Sequence, residues 1–269
     1  AHLAEVAAER GIANIQINLG QTGVNATLAV AEGRTDIGIC PFILPFLMER
    51  GVGPFADLGA ERGKELAGGL RVLYPYSFGA YTLYGYDSVG VSGWDDLAGR
   101  RILDGPPRGA ATNEARSLIQ VMTGLEAETG FTAIESDWSQ MTTTITEGSV
   151  DVALLPEYIP SDRPLQALSA GRMNFYSIPI AQFESEEVQR VLTSPGSAPF
   201  VLSAEQMAAL GENANVVSED GAFRTRGSVG GNCVNAAMDE EIAYALTRAH
   251  IETIEQLYAK ALYARNIGL

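Results

Sequence analysis

Two ten-residue stretches of this chain share one pattern. Glu32 to Pro41 reads EGRTDIGICP, and Glu147 to Pro156 reads EGSVDVALLP. In each, a glycine in the position that follows a helix precedes an apolar run, which predicts a short buried strand ended by the proline. Extended backwards, Ile15 to Pro41 and Phe131 to Pro156 both predict a strand (IQINL in the first), a polar loop, a helix and a strand. The two units either resemble each other by chance or are equivalent parts of two lobes.

The alternation of strands and helices predicts an α/β protein with mostly parallel strands in one or two sheets. No linker rich in Pro, Ser or Gly divides the chain, so we expect it to leave the first lobe, build the second and return. Residues 1–86 and 201–269 are predicted to form lobe I, and residues 87–200 lobe II. Residues 219–231 read as a loop, and a long helix capped by Asp239 is predicted over residues 239–264.

Length and charge narrow the class of protein. A chain of 269 residues is long enough for two lobes with separate cores, and 46% hydrophobic with 19% charged residues is ordinary for a globular protein. The net charge of -15 argues against nucleic acid or an anionic membrane surface as a partner. It leaves an anionic small molecule open, because a local arginine can dominate a pocket.

The sequence shows no catalytic machinery. It has no Walker A loop, no G-x-S-x-G and no His, Cys and carboxylate spacing that suits a metal. His2 lies at the start and His250 within a predicted helix, where packing or solvation is expected. Cys40 and Cys233 lie in apolar strand-like runs, as buried thiols or as a disulfide. We therefore predict no catalytic residue, no metal and no cofactor.

The start of the chain carries no visible targeting signal. It opens in a helical pattern, AHLAEVAAERG, without a preceding strand, which suggests a processed or trimmed N-terminus. No apolar stretch reaches the roughly 18 residues that a membrane-spanning helix needs.

Three small polar loops are the candidates for ligand binding, because ligands of parallel sheets lie where strands end and helices begin. They are GQTGVN (20–25), GPPRGAAT (105–112) and SDWSQ (136–140). The first two lead into amphipathic helices, the second of them near Thr112, whose N-termini favour an anion. Arg108 adds a fork suited to a carboxylate. Arg108 either contacts a ligand carboxylate or points outward and pairs with a surface carboxylate.

Several stretches together resemble a known family. These are TGVNATLAVAEGRTDIGI, DSVGVSGWDDLAGRRILDGPPRGAATNEARSLI, ITEGSVDVALLPEY and the closing CVNAAMDEEIAYALTRA. The chain is similar to the TAXI class of solute-binding proteins, which serve tripartite ATP-independent periplasmic (TRAP) transporters. The continuous match runs from Thr22 to about Pro179.

The chain departs from the family pattern in places. Thr22-Gly23-Val24-Asn25 lacks a second glycine, DSVGV has an extra residue, and Arg108-Gly109-Ala110 replaces the usual Gly-Ser-Gly. The family's opening strand and Gly-Gly-x-Tyr loop are not in this sequence.

The resemblance implies a two-lobed type II periplasmic-binding fold, with two mostly parallel sheets joined by hinge strands and a ligand in the cleft between the lobes. It implies an extracytoplasmic or periplasmic receptor that delivers an acidic amino acid such as glutamate, or a dicarboxylate, to the membrane permease subunits of a TRAP transporter. The residues expected to bind the ligand are Thr22, Gly23, Asn25, Pro41, Phe42, Pro107, Arg108, Gly109, Ala110, Thr112, Glu157 and Tyr158.

Two other classes share that fold. A deaminase that forms tetrapyrroles would need a cofactor-bearing cysteine in a mobile loop, whereas both cysteines here are predicted in strands. The effector domain of a transcription regulator should be joined to a DNA-binding helix pair, and none is visible in this sequence.

Overall fold

The structure is a computed structural model, which describes residues 1–260. Its α-helices are α1 His2–Glu9, α2 Gly23–Ala31, α3 Ile43–Arg50, α4 Gly59–Gly68, α5 Ala110–Thr123, α6 Met141–Thr146, α7 Asp162–Ala170, α8 Ile180–Phe183, α9 Glu186–Leu192, α10 Ala204–Ala208, α11 Glu240–Glu252 and α12 Ile254–Lys260. Its strands are β1 Ile37–Pro41, β2 Leu70–Tyr86, β3 Arg101–Gly105, β4 Thr132–Glu135, β5 Val152–Glu157, β6 Met173–Tyr176, β7 Ser197–Leu202, β8 Ala214–Val217 and β9 Phe223–Asn235. Short 3-10 helices span Gly53–Leu58, Asp87–Val89 and Trp94–Asp96. Within residues 1–260, no helix has both the length and the apolar composition to cross a bilayer.

The chain divides into two compact units. The first comprises Ala1–Ser77 and the chain from Val229 onward, and the second comprises Phe78–Ser228. The boundaries therefore fall at 77/78 and 228/229, whereas the sequence predicted 86/87 and 200/201. The difference arises because β2 and β9 run unbroken through both boundaries, so no turn in the sequence marks them.

The predicted loop over residues 219–231 is wrong for most of its length, because β9 begins at Phe223. Its glycines mark close backbone approaches and not turns. A Cβ added to Gly231 would lie 2.5 Å from the Tyr74 carbonyl oxygen, and one at Gly227 would lie 3.3 Å from the Ala198 oxygen. Glycine in a strand is therefore explained here by the nearness of the neighbouring chain.

In the first unit, β1 pairs antiparallel with the end of β9, from Ile37 opposite Val234 to Pro41 opposite Gly230. Cys40 and Cys233 are free, buried thiols that pack on Val30 of α2. The duplicated pattern is confirmed here as helix, glycine and strand, and β1 ends at the predicted proline.

The predicted strand IQINL does not form. Residues 14–19 have no regular secondary structure, and Ile17 is 46% and Leu19 87% exposed. The alternation of apolar and polar residues is that of a strand, but a strand persists only where a neighbour accepts its backbone hydrogen bonds. No strand within residues 1–260 pairs with this segment.

The strands of the second unit form a mixed sheet, not the mostly parallel one predicted. β3 lies parallel to both β4 and β5, and β6 lies parallel to β8. In contrast, β2 is antiparallel to β5 and β6, and β7 is antiparallel to β9. The sequence suggested parallel strands because helices alternate with most of them, but the long β2 and β9 run against their neighbours.

Pro156 does not end β5, which continues to Glu157. Pro156 pairs with Tyr81 of β2, while the pairing with β3 covers only Val152 and Ala153. Proline lacks an N–H donor, so it is tolerated at this point where the β3 ladder has already ended.

Strand β5 is buried on both faces of the sheet. Val152 faces a cluster that includes Leu118 of α5, and the next residue, Ala153, faces a second cluster with Met141 of α6. Since successive strand residues point to opposite faces, the apolar run of β5 fits a strand covered on both sides.

The predicted C-terminal helix is interrupted. Asp239 caps α11 as expected, accepting hydrogen bonds from the backbone N–H groups of Glu241 and Ile242, but the helix ends at Glu252 and α12 follows. At the break, the buried Thr253 hydroxyl donates to the Ala249 carbonyl at 2.7 Å, an interaction that competes with regular helix. The predicted residues 261–264 lie outside the described chain.

Candidate functional site

Three parallel strands of the second unit end at the same edge of its sheet. β5, β3 and β4 lie side by side in that order, and the backbone N–H of Ser136 donates to the Gly105 carbonyl at 3.0 Å where β3 and β4 end. The chain that follows these strands includes two of the loops singled out in the sequence and the Glu157-Tyr158 pair. We call this the carboxyl edge of the second unit, comprising residues 105–112, 136–140 and 157–163.

The loop after β3 is held by its own side chains. Gly105 has a φ of 139°, and a Cβ there would lie 2.5 Å from the Thr112 hydroxyl oxygen. The buried Thr112 hydroxyl donates to the Pro106 carbonyl at 2.6 Å, so its proton is used inside the loop. Helix α5 begins at Ala110 with Gly109 as its N-cap, two residues before the predicted start near Thr112.

Arg108 is exposed at the tip of this loop, next to the exposed Pro107 and the half-buried Ala110. Its φ is 56°, in the left-handed region that non-glycine residues rarely occupy. No hydrogen bond or ion pair joins the guanidinium of Arg108 to any other described residue. The alternative, in which Arg108 pairs with a surface carboxylate, is therefore not seen within residues 1–260. Residues held in sparsely populated backbone conformations cluster at active sites and ligand sites, which makes Arg108 a candidate contact for a ligand.

Beneath the loop lies a buried carboxylate. Asp104, fully buried at the end of β3, accepts from Arg116 of α5 at 2.6 Å, and Arg116 also donates to Glu135 at 2.8 Å. The second oxygen of Asp104 has no partner among the described residues. Burial raises the pKa of Asp104 to about 6, although Arg116 acts in the opposite direction.

Glu157 is not available to a ligand in the way that the sequence suggested. Its carboxylate is 4% exposed, accepts from the Tyr84 hydroxyl at 2.9 Å and forms an ion pair with Arg163 at 2.5 Å. Burial raises the pKa of Glu157, while Arg163 counteracts that rise. The neighbouring Tyr158 is half-buried at the carboxyl edge.

The residues predicted from the sequence to bind the ligand do not include Arg163 or Trp138. Trp138, in the polar loop 136–140, is 39% exposed, and the guanidinium carbon of Arg163 lies 5.4 Å from its ring centroid. The available signal was a tryptophan amid polar residues in a loop already identified. Arg163 could not be found in this way, because its position depends on the buried Glu157.

The candidate residues of the first unit lie around the start of α2. Thr22 is the N-cap, and its hydroxyl accepts from the Asn25 backbone N–H at 3.2 Å. Asn25 is exposed and lines a cavity of about 730 Å³. Gly23 packs on Pro41, since a Cβ there would lie 3.2 Å from the proline ring, and the Phe42 N–H donates to the Val229 carbonyl at 3.0 Å.

These residues form a local group in the first unit, as Pro107 to Thr112 do in the second. A larger cavity of about 1040 Å³ in the first unit contains none of the predicted residues and borders the extended segment 14–18. Among residues 1–260, no three His, Cys, Asp or Glu side chains are grouped to hold a metal.

Comparison with known proteins gives a family and a fold. The sequence model of the NMT1-like family matches residues 2–269. No curated protein matches the chain in sequence. The periplasmic aliphatic sulphonate binding protein SsuA from Escherichia coli is similar in structure, with a TM-score of 0.50, 11% identity, and 99% of this chain and 75% of that chain covered.

Two other solved structures match with lower TM-scores. A TRAP periplasmic solute binding protein from Sulfitobacter with bound beta-D-galacturonate has a TM-score of 0.48 and 13% identity, over 98% of this chain and 77% of the other. DctP7, an extracytoplasmic solute receptor from Bordetella pertussis binding pyroglutamic acid, has a TM-score of 0.48 and 14% identity, over 99% and 79%. The likeness to SsuA shows that this chain has the two-lobed α/β fold of periplasmic binding proteins.

Proposed function

Because the chain belongs to the NMT1-like family, we propose that it is an extracytoplasmic solute-binding receptor for a small anionic organic solute. The observation that carries the proposal is Arg108, an exposed and unpaired arginine held by a left-handed backbone immediately before the N-terminus of α5. A guanidinium and free helix N–H groups both favour an anion, and a carboxylate matches the guanidinium fork.

The finer proposal is a receptor of the TAXI kind, which hands an acidic amino acid or a dicarboxylate to the permease subunits of a TRAP transporter. Its support is the run of motifs from Asp87 to Pro107, which continues directly into the Arg108 loop. The protein would act by holding its ligand away from water, where charge-assisted hydrogen bonds are stronger. No reaction is assigned to it.

The enzyme alternative is disfavoured by where the cysteines lie. A cofactor-bearing cysteine must be reachable by its cofactor, whereas Cys40 and Cys233 are 0% and 1% exposed and lie in paired strands. Neither thiol fits the role that a tetrapyrrole-forming deaminase would require.

A thermal-shift screen tests the proposal. The panel holds acidic amino acids, dicarboxylates and keto acids, with neutral sugars and basic amino acids as controls. A ligand at about 100 times its dissociation constant adds about 2.7 kcal/mol to the free energy of unfolding. For a chain of this size each kcal/mol corresponds to roughly 2–4 °C, so several degrees are expected. Anions should raise the melting temperature and controls should not; equal shifts with neutral sugars, or none with any anion, would overturn the proposal.

A further inference from the structure

Trp138 is a large aromatic side chain in an otherwise polar loop at the carboxyl edge of the second unit. It is 39% exposed, and its neighbours in the loop are Ser136, Asp137, Ser139 and Gln140. The loop follows β4, which lies next to β3, so Trp138 belongs to the same edge as Arg108. An exposed tryptophan at such an edge offers a flat apolar surface to a ligand.

The position of Trp138 is tied to a fixed cation. Arg163 lies over the indole at 5.4 Å, and its own place is set by the ion pair with Glu157. Glu157 is buried and also accepts a hydrogen bond from the Tyr84 hydroxyl, so the Arg163 guanidinium is held in place against the ring. The side chain of Arg163 is only 18% exposed, which leaves the indole as the more accessible member of the stack.

We propose that the indole of Trp138 stacks on a planar group of the bound solute, so that the site prefers aromatic or conjugated carboxylates over saturated carboxylates of the same charge. This rests on the broader proposal of a receptor for a small anionic solute and not on its finer form, because an acidic amino acid is saturated; it adds the shape of the ligand. In this arrangement Arg108 and the N-terminus of α5 bind the carboxylate of the solute, and the indole of Trp138 packs on its planar group.

The sign of the charge agrees with this preference. The face of an aromatic ring attracts a cation, and the indole of Trp138 already makes this cation–π interaction with Arg163. A cationic ligand would be attracted less strongly by the ring and would be repelled by the guanidinium of Arg163. A planar anion is stabilised by stacking, because offset aromatic pairs add about 0.5–1.5 kcal/mol beyond the area they bury. It is also attracted by the positive charge of Arg163.

The competing interpretation is that Trp138 only covers Arg163. Both interpretations place the two side chains together, but they differ in what a ligand does to Trp138. The chain has two tryptophans, and the other, Trp94, is 3% exposed and donates to the Ser177 carbonyl in the core. Tryptophan emission that responds to a stacked ligand therefore reports on Trp138.

The test uses benzoate and cyclohexanecarboxylate, which carry the same charge on a planar and a saturated ring. Affinities of the full chain for both are measured by calorimetry, and tryptophan emission is followed in the same titrations. We expect benzoate to bind roughly two- to tenfold more tightly and to quench the exposed tryptophan. Trp138→Leu should abolish the difference between the two probes, whereas Trp138→Phe should keep most of it.

The outcomes separate the two proposals. If an anion from the screen binds but the two ring probes bind equally, or if Trp138→Leu leaves their ratio unchanged, the stacking proposal is wrong and the receptor proposal stands. If no carboxylate of any shape binds, the receptor proposal fails first. The ratio of the affinities for benzoate and cyclohexanecarboxylate, measured on the unmodified chain, tests the stacking proposal even if Trp138→Leu does not fold.

Discussion

Arg108 combines two unusual properties, a charged side chain without a partner among residues 1–260 and a φ of 56°. A non-glycine residue in that conformation costs about 1–2 kcal/mol, so glycine would suit this backbone better than arginine does. We expect Arg108→Ala to weaken binding of the anion found in the screen by roughly ten- to a hundredfold, since a charge-assisted hydrogen bond contributes about 1.5–3 kcal/mol. Calorimetry measures the change directly.

Arg108→Gly is the matched control for the backbone. Glycine adopts the left-handed conformation freely, so this variant should lose the same affinity as Arg108→Ala while its melting temperature rises above that of the alanine variant. Near wild-type affinity in both variants would remove Arg108 from the site. Loss of affinity in the alanine variant alone would assign the effect to the loop conformation.

Asp104 predicts a dependence of stability on pH. Its pKa is raised by burial from 3.8 to about 6 in the folded chain. Below pH about 4 the carboxyl is protonated in both states and its contribution to stability is fully present; that contribution is lost as the pH rises through about 6. Relative to the wild type, Asp104→Asn should therefore gain on the order of 1–3 kcal/mol in free energy of unfolding between about pH 4.5 and about pH 7.5.

Urea unfolding of both proteins at the two pH values measures this gain. Asp220→Asn serves as a control of opposite sign, because Arg224 lowers the pKa of the exposed Asp220 to about 2. That group stabilises the folded state above its unfolded pKa of about 4, so its replacement should lower the free energy of unfolding by a similar amount at both pH values. A gain for Asp104→Asn that is the same at both pH values would contradict the raised pKa.

At the scale of the elements, the β3–α5 junction depends on Thr112. The hydroxyl of Thr112 donates to the Pro106 carbonyl and closes the loop that carries Arg108. Thr112→Val keeps the shape but removes one of the two donors to that carbonyl, because the Gly109 N–H also donates to it at 3.0 Å. The free energy of unfolding should therefore fall by about 0.5–1.5 kcal/mol. Thr112→Ser keeps the hydroxyl and should lose less. If Thr112→Val loses no stability in urea unfolding while Thr112→Ser does, the methyl group, and not the hydrogen bond, is what matters.

The elements also show what sequence periodicity can predict. The helix–glycine–strand pattern before Pro41 was predicted correctly because a glycine stop and a buried apolar run are local properties. The predictions of a strand at IQINL and of a loop over residues 219–231 were wrong because strand formation depends on neighbouring strands. The first segment has no such neighbour within residues 1–260, and the second has several despite its glycines.

For the site, the sequence could identify the loops but not the pairing inside them. The positions of the strand ends predicted the Arg108 loop, and the helix N-terminus follows it as expected, two residues early. Glu157 was selected as a ligand contact because nothing local shows that Arg163 and Tyr84 bind its carboxylate. Such partners lie far apart in the chain or on another element, beyond the reach of local pattern.

At the scale of the whole molecule, the fold is that of periplasmic binding proteins, and its two units divide the chain at 77/78 and 228/229. The sequence could predict that the chain leaves one unit and returns, because no linker separates two independent domains. It could not give the boundaries, because β2 and β9 carry the chain across them without a break.

The proposal that this chain is a receptor for a small anionic solute can be tested on the purified protein. Mass spectrometry of the molecules released when the purified protein is denatured tests it most directly, with the Arg108→Ala variant purified in parallel. We expect one class of small carboxylate in near-stoichiometric amount from the wild type and much less from the variant. Release of a neutral or cationic solute, or of the same carboxylate in equal amount from both proteins, would contradict it.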